Sequence, residues 1–155
     1  MNGMKGPKRT LVRCGHLVTM DGAVRTRRNW ELLYVGDRIE AIAERINEPA
    51  DEVIDASGMI VMPGFVDTHR HTWQTPVRGV LPSCTLDHYF AVMLGSVGGH
   101  YRPEDVHIGD YAGSLEALNA GVTTLLDWSH INNTPDHSDA AIQGLKDAGI
   151  RAVYA

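Results

Sequence analysis

The feature that most restricts the fold of this chain is a nearly continuous run of apolar and β-branched residues over 122–128. Strands whose two faces are both buried in a parallel sheet have this composition. The run stands between two predicted helices, over 102–121 and 134–149, and further strands are predicted over 65–71 and from residue 150 onward. The order strand, helices, strand, helix, strand predicts right-handed parallel crossovers and therefore an α/β fold.

The first 62 residues differ from the rest because they consist of short apolar stretches separated by turn signals. We expect strands over 10–12, 16–20, 30–35, 38–43, 51–55 and 59–62, with turns at Gly36-Asp37 and Ser57-Gly58. Two domains are predicted: a small, incomplete β-sandwich module over 1–62 and an α/β part over 63–155. A complete (β/α)8 barrel of the TIM type has about 250 residues, so the second part holds only its first two to three units.

Composition and charge disfavour several classes of partner. The chain of 155 residues has a formal net charge of −5, which argues against nucleic acid and anionic membranes. No apolar stretch has the length of a signal peptide or a membrane span. Cys14 and Cys84 lack the spacing of a metal or redox motif, so reduced thiols are expected. We therefore expect a cytoplasmic protein whose partner is a small-molecule substrate.

Eight histidines are more than an average composition gives, and His69 and His71 end the predicted strand over 65–71. Side chains two residues apart on a strand share a face, so Asp67, His69 and His71 lie on one side. If that side is a barrel interior, both imidazoles emerge at the C-terminal end, where barrel enzymes keep their active sites. Two neutral imidazoles there form half of a site for zinc or iron. Asp67 either orients a histidine ring or packs inside as a buried acid.

Several motifs carry a family resemblance. After the β-module come PGFVDTHRH over 63–71 and EALNAGVTT over 116–124, and these resemble the amidohydrolase superfamily. The stretches DTHRHTWQ over 67–74, RG over 78–79 and DWSH over 127–130 resemble the branch that contains cytosine deaminases and triazine hydrolases. At this spacing the resemblance covers essentially the whole chain, as the N-terminal portion of such an enzyme.

The resemblance implies a hydrolase that acts on carbon–nitrogen bonds other than peptide bonds. One divalent metal, zinc or alternatively iron, would activate a water for attack on an electrophilic carbon. The reaction would be deamination or dechlorination of a nitrogen heterocycle, or hydrolysis of a cyclic amide. His69 and His71 would be metal ligands. A later histidine, a later aspartate and an acid–base pair of glutamate and histidine have no counterpart within these residues, so the catalytic residues are unknown.

Three residues are candidates for substrate binding: Gln74, Trp73 and His130. The Gln74 amide both donates and accepts hydrogen bonds, which suits a ring nitrogen or carbonyl, with simple solvation as the alternative. Trp73 either walls an aromatic pocket or anchors the loop by packing. Arg78 either binds an anionic group or fixes the loop by hydrogen bonds, and the structural role is favoured.

The end of the second barrel strand leaves one question open. Asp127 and Ser129 share one face and Trp128 and His130 share the other, and the sequence does not decide which pair faces the interior. Five other histidines are expected at the surface: His16, His88, His100, His107 and His137.

Three hypotheses follow. The first is the metal-dependent hydrolase, of which this chain is the N-terminal portion or a truncated reading frame. The alternative is a catalytically dead relative that serves as a binding or assembly module. A structural metal site is least favoured, because no further Cys or His pair completes four ligands. We expect the 155 residues alone to be inactive, since two histidines hold a metal weakly and the rest of the barrel is missing; a homo-oligomer is left open.

Overall fold

The computed structural model describes residues 6–22 and 26–155. Contacts between Cα atoms divide the chain into two compact units, Met1–Pro63 and Gly64–Ala155. Each unit contains its own sheet, and the two sheets share no strand.

A five-stranded sheet forms the first unit. Its strands are β1 (Arg9–Val18), β2 (Thr26–Arg28), β3 (Glu31–Val35), β4 (Arg38–Ala43) and β5 (Glu52–Val61). The long β1 pairs antiparallel with β2 and β3 and parallel with β5. The incomplete sandwich expected from the sequence is therefore a single sheet in the described part of the chain.

One predicted turn of this unit is correct and another is wrong. The hairpin between β3 and β4 turns at Gly36, whose φ of +58° favours glycine. Ser57-Gly58, however, lies inside β5, and the strands predicted over 10–12 and 16–20 are one strand. At a register shift the two backbones approach so closely that a Cβ on Gly15 would lie 2.1 Å from the Ser57 carbonyl oxygen. These glycines mark a bulge and not the end of a strand.

The second unit contains parallel strands joined by helices. β6 (Phe65–Arg70), β7 (Val122–Asp127) and β8 (Arg151–Tyr154) form a parallel sheet in that order. Between β6 and β7 lie a 3-10 helix (Thr72–Val77), α1 (Leu86–Tyr89), a π-helix (Phe90–Val97), α2 (Gly98–His100) and α3 (Pro103–Asn119); α4 (Pro135–Ala148) follows β7. This is the predicted α/β order of an incomplete (β/α)8 barrel.

The two long helices begin and end at the predicted signals. At the start of α3, the carboxylate of Asp105 accepts the backbone N–H of Arg102 at 3.0 Å, and Pro103 occupies the first turn. At the end of α4, Gly149 adopts a left-handed conformation with φ of +76°. Helix capping was therefore readable from the sequence.

The segment of Trp73 and Arg78, for which loop roles are considered above, begins with a 3-10 helix packed on α3. Two glycines of α3 allow the close approach. A Cβ on Gly109 would lie 2.6 Å from the carbonyl oxygen of Trp73, and one on Gly113 would lie 2.4 Å from Oγ1 of Thr75. Backbone and small side chains pack directly on the helix here, so the segment is part of the fold.

Two apolar clusters stabilise the second unit. One surrounds Trp73 and Ile131, and the other joins α3, α4 and β7 around Leu125 and Leu145. Phe65 and Val153 lie on the two outer strands of the sheet and are exposed. Among the described residues, no helix combines the length and apolar character needed to cross a membrane.

Candidate metal centre

His69 and His71 come together at the C-terminal end of β6, with their Nε2 atoms 3.3 Å apart. Zinc–nitrogen distances of about 2.0–2.1 Å and tetrahedral angles place two ligand nitrogens about 3.3–3.4 Å apart. The two rings therefore already have the spacing of a metal-binding pair. In residues 6–22 and 26–155 no group of three or more His, Cys, Asp or Glu side chains is placed to hold a metal, so the described residues bring together two candidate ligands.

A backbone carbonyl determines which nitrogen of His71 carries the proton. Nδ1 of His71 lies 2.7 Å from the carbonyl oxygen of Trp128. Because that oxygen can only accept, Nδ1 donates, and the neutral ring keeps its lone pair on Nε2. Metal-binding histidines commonly donate their second ring N–H in this way. The chemistry of these donors fits a divalent metal such as zinc.

Hydrogen bonds from three successive residues join the end of β6 to the end of β7. The N–H of Trp128 donates to the carbonyl of Arg70 at 2.7 Å. His71 donates through Nδ1 to the carbonyl of Trp128, and the N–H of Thr72 donates to Oδ1 of Asp127 at 3.1 Å. The position of His71 is therefore set by residues on both strands.

Asp67 bonds to the main chain and contacts no histidine ring by a hydrogen bond. Its Oδ1 accepts the backbone N–H of His69 at 3.1 Å, and its Oδ2 lies 3.8 Å from Nη1 of Arg70. The β6–β7 register shifts between Asp67 and Arg70, so the strand does not alternate regularly here. The half-buried carboxylate fixes the backbone at His69, which neither sequence alternative described.

The sequence left open which pair of side chains at the end of β7 lies on the side of the two histidines, and the ring positions answer this. The rings of Trp128 and His130 lie 4.8 Å from His69 and 4.0 Å from His71, respectively, measured between centroids. Asp127 points away from them and is fully buried. Trp128 and His130 therefore lie beside His69 and His71.

An open cavity of about 430 Å³ lies over the two histidines. The rest of its lining combines flat or apolar side chains with a few polar tips: Gln74, Leu86, Tyr89, Phe90, Trp128 and His130. Cavities with mostly apolar walls and a few polar groups are typical of small-molecule sites. The aromatic walls suit the face of a planar ring.

Gln74 and Trp73 occupy different environments although they are neighbours in sequence. Gln74 is half-buried, lines the cavity and donates through Nε2 to the hydroxyl of Tyr89. Trp73 is fully buried, packs edge-on against Tyr101 and donates through Nε1 to Nδ1 of His130 at 3.4 Å. The placement of Trp73 favours the packing alternative, in which it contacts the site only through His130.

Arg78 bonds to a helix. Its guanidinium makes two parallel hydrogen bonds to the carboxylate of Glu116 on α3, and Arg70 reaches the same carboxylate at 3.3 Å. Both arginines line a second cavity of about 290 Å³ that also contains His71 and Gln74. The paired charges favour the structural role for Arg78, which ties the segment after the 3-10 helix to α3.

His130 is held in its neutral form. Loss of water on its inner side, followed by repulsion from His71 and His69, lowers its pKa below the ordinary range. Its Nδ1 accepts from the indole of Trp73, so the neutral ring carries its proton on Nε2. A neutral ring N–H beside two metal-type imidazoles is available to donate to a bound molecule.

A pair of buried acids was missed by the sequence analysis. Asp110 on α3 and Asp127 are both fully buried, and the pKa of each is raised because burial disfavours its charge. The signal was present: Val106, Gly109, Gly113 and Ala117 form the buried stripe of α3, and Asp110 lies in it. An acid within such a stripe needs a specific partner.

One histidine expected at the surface is buried. His137 bonds through Nδ1 to the hydroxyl of Thr134 at 2.8 Å and donates through Nε2 to the carbonyl of Tyr101 at 2.9 Å. It fixes the first turn of α4 to the segment before α3, a contact between distant residues that the local sequence does not encode. His88 and His100 are exposed, as predicted.

The comparisons with known proteins agree with this geometry. The amidohydrolase family profile matches residues 60–155. The 5-methylthioadenosine/S-adenosylhomocysteine deaminase of Thermococcus kodakarensis is 32% identical over 141 residues, 91% of this chain and 31% of that protein. The 5'-deoxyadenosine deaminase of Methanosarcina acetivorans is 28% identical over 92% of this chain and 32% of that protein.

Solved structures of similar fold also match this chain. A variant of the atrazine chlorohydrolase from Arthrobacter aurescens TC1, in complex with zinc and atraton, superposes with a TM-score of 0.85 at 26% identity. That alignment covers 94% of this chain and 35% of the enzyme. The chain thus spans about a third of the length of the relatives it matches. Sequence motifs, barrel order and the match over residues 60–155 establish that the chain belongs to the amidohydrolase family.

Proposed function

We propose that His69 and His71 are two ligands of a divalent metal, zinc in the first place and iron as the alternative, in a hydrolase that acts on a nitrogen heterocycle. The observation that carries the proposal is the 3.3 Å separation of the two Nε2 atoms, together with the carbonyl that leaves the lone pair of His71 on Nε2. A metal bound there supplies a water of lowered pKa. The bond broken is carbon–nitrogen or carbon–chlorine, as the names of the relatives suggest.

The cavity residues bind and orient the substrate in this proposal. The apolar and aromatic sides of Leu86, Phe90 and Trp128 contact the faces of a planar ring. Gln74, whose amide is held by the hydroxyl of Tyr89, presents its carbonyl oxygen to a ring N–H.

His130 donates its Nε2–H to a ring nitrogen or to a developing negative charge. It stays neutral at pH 7 because its pKa is lowered, so it donates a hydrogen bond without adding charge. Trp73 is a positioning residue here, since its indole holds Nδ1 of His130. The small-molecule partner is thus bound by the segments that follow β6 and β7.

The metal assignment is tested with the purified chain labelled with nitrogen-15 in its histidines. Zinc titration should shift the Nε2 resonances of His69 and His71 first, with weak affinity because only two ligands converge. The double variant H69N/H71N should lose this response, while the matched double variant of two exposed histidines, H88N/H100N, should retain it. Zinc binding that survives in H69N/H71N contradicts the assignment.

The reaction is tested separately. The 155 residues alone should release neither ammonia nor chloride from aminated or chlorinated triazines and purines, because the remaining ligands lie elsewhere. Joining the chain to the remaining two thirds of the related atrazine chlorohydrolase should restore metal-dependent turnover, and H71N should abolish it. Turnover by the chain alone would refute the view that two ligands are insufficient. A folded, zinc-loaded chimera without turnover on any of these compounds would refute the substrate class.

A further inference from the structure

Behind the metal-binding pair, two carboxyl groups face each other in the interior of the second unit. Asp110 and Asp127 have no exposed surface, and their carboxyls lie within hydrogen-bonding reach of one another. Both oxygens of Asp110 and Oδ2 of Asp127 are buried without a donor. The hydroxyl of Ser114 is buried in the same unit, also without a partner, and the Thr72 side chain favours the ionised form of Asp127.

The electrostatics of this pair require one proton. Two carboxylates in contact, away from water, cannot both ionise, because each is destabilised by burial and by the other. No Lys or Arg of the described residues pairs with either carboxyl. The titratable groups that face the pair are Tyr101, near Asp110, and His71, near Asp127, and Gly144 of α4 packs against Asp110.

The surroundings of the two acids differ, and this difference identifies the protonated one. Asp127 accepts the N–H of Thr72 at 3.1 Å, and this hydrogen bond favours its ionised form. Asp110 accepts from no donor, and burial together with the charge of Asp127 raises its pKa to about 9. A protonated carboxyl donates one hydrogen bond, and the unpaired Oδ2 of Asp127 is the acceptor within reach.

We propose that Asp110 is a positioning residue whose protonated carboxyl donates a hydrogen bond to Asp127 and so keeps Asp127 on the backbone N–H of Thr72, next to His71. Through Asp127 and Thr72, this contact fixes the strand end from which the His71 ring reaches the carbonyl of Trp128. The inference concerns the free chain and does not depend on whether a metal binds.

The proton itself is tested by infrared spectroscopy of the full chain with carbon-13-labelled aspartate at pH 7. We expect the carbonyl stretch of one protonated carboxylic acid in the wild type and its loss in D110N. The exposed-residue control D139N should keep it. Absence of the band, or its persistence in D110N, overturns the proposal.

Positioning is tested by nitrogen-15 spectra of the His71 ring. D110N keeps a donor toward Asp127, so His71 should remain in the Nδ1–H form without a fall in Tm. D110A removes the donor and should allow Nδ1–H and Nε2–H forms to exchange, with a fall in Tm of about 10 °C. S114A, which removes a buried hydroxyl from the same face of α3, should leave His71 unchanged.

If D110A does not fold, the double variant D110A/D127N tests whether the two acids are paired. It removes the buried charge that would have been left unpaired, and the new amide oxygen still accepts from Thr72. Recovery of folding in the double variant supports the pairing of the two acids, and failure to recover overturns it. A folded D110A whose His71 stays in the Nδ1–H form overturns the positioning role.

Discussion

Two polar clusters lie on opposite sides of the joined ends of β6 and β7, and they obey different physical rules. The front cluster contains His69 and His130 and opens on the cavity, so water solvates its polar atoms when nothing is bound. The back cluster contains Asp110 and Asp127, which have no exposed surface. A polar group in the front costs little to the fold and is available to a ligand. A polar group in the back cluster must find its hydrogen-bond partners within the protein.

The largest expected effect therefore lies in the back cluster. Asp127→Ala removes the acceptor of the Thr72 N–H and leaves a small cavity, and we expect the free energy of unfolding to fall by about 2–4 kcal/mol. Urea unfolding followed by circular dichroism measures this change, with D139N on the exposed face of α4 as the control. A loss below about 0.5 kcal/mol would mean that water replaces the carboxylate, and the two clusters would then not differ as described.

The back cluster also predicts how stability depends on pH. Asp110 has a pKa of about 9 in the folded chain, against an ordinary value of 3.8. The folded chain thus retains a proton that the unfolded chain releases, so this contribution to stability is lost as pH rises from about 4 to about 9. The slope is at most about 1.4 kcal/mol per pH unit, which gives about 3 kcal/mol between about pH 6 and about pH 8.

The difference in unfolding free energy between the wild type and D110N, measured as a function of pH, isolates the contribution of this proton. The depressed pKa values of Asp105 and Glu116 give the opposite dependence, but only at acidic pH, outside the window used. A wild-type chain that gains stability relative to D110N as pH rises would contradict the sign of the prediction.

The two clusters were not equally visible in the sequence. His69 and His71 were found because spacing two on a strand is a local property, and the order of strands and helices followed from local periodicity and capping. Asp110 was overlooked because its partner lies 17 positions away on another element, and only tertiary packing brings the two together. The same holds for His137, which reaches the carbonyl of Tyr101 across 36 positions. The break predicted between the strands over 10–12 and 16–20 was wrong for a related reason, since Gly15 has its close partner, Ser57, on a strand distant in sequence.

A smaller effect on stability is expected for a third polar group, in which Glu116 pairs with Arg70 and Arg78. Their side chains are 42%, 25% and 61% exposed, respectively, so water screens the ion pairs. We expect E116Q to lower the free energy of unfolding by about 0.5–1 kcal/mol at low salt and by less in about 1 M salt. Equilibrium unfolding at two salt concentrations measures this. An undiminished effect at high salt would place this network with the back cluster.

The smallest effect on stability is expected at the front, where the effect on binding is largest. His69 is exposed, and the aromatic rings paired with it among the described residues are those of His71 and Trp128. His69→Ala should therefore change the free energy of unfolding by no more than about 0.5 kcal/mol, while the zinc response of the His71 ring disappears because one ligand of the pair is gone. The control variant His88→Ala, which replaces another exposed histidine, on α1, should change neither quantity. If His69→Ala destabilised the chain as much as Asp127→Ala, the front cluster would be part of the structural core, and its exposed imidazoles would have to be explained by packing and not by metal binding.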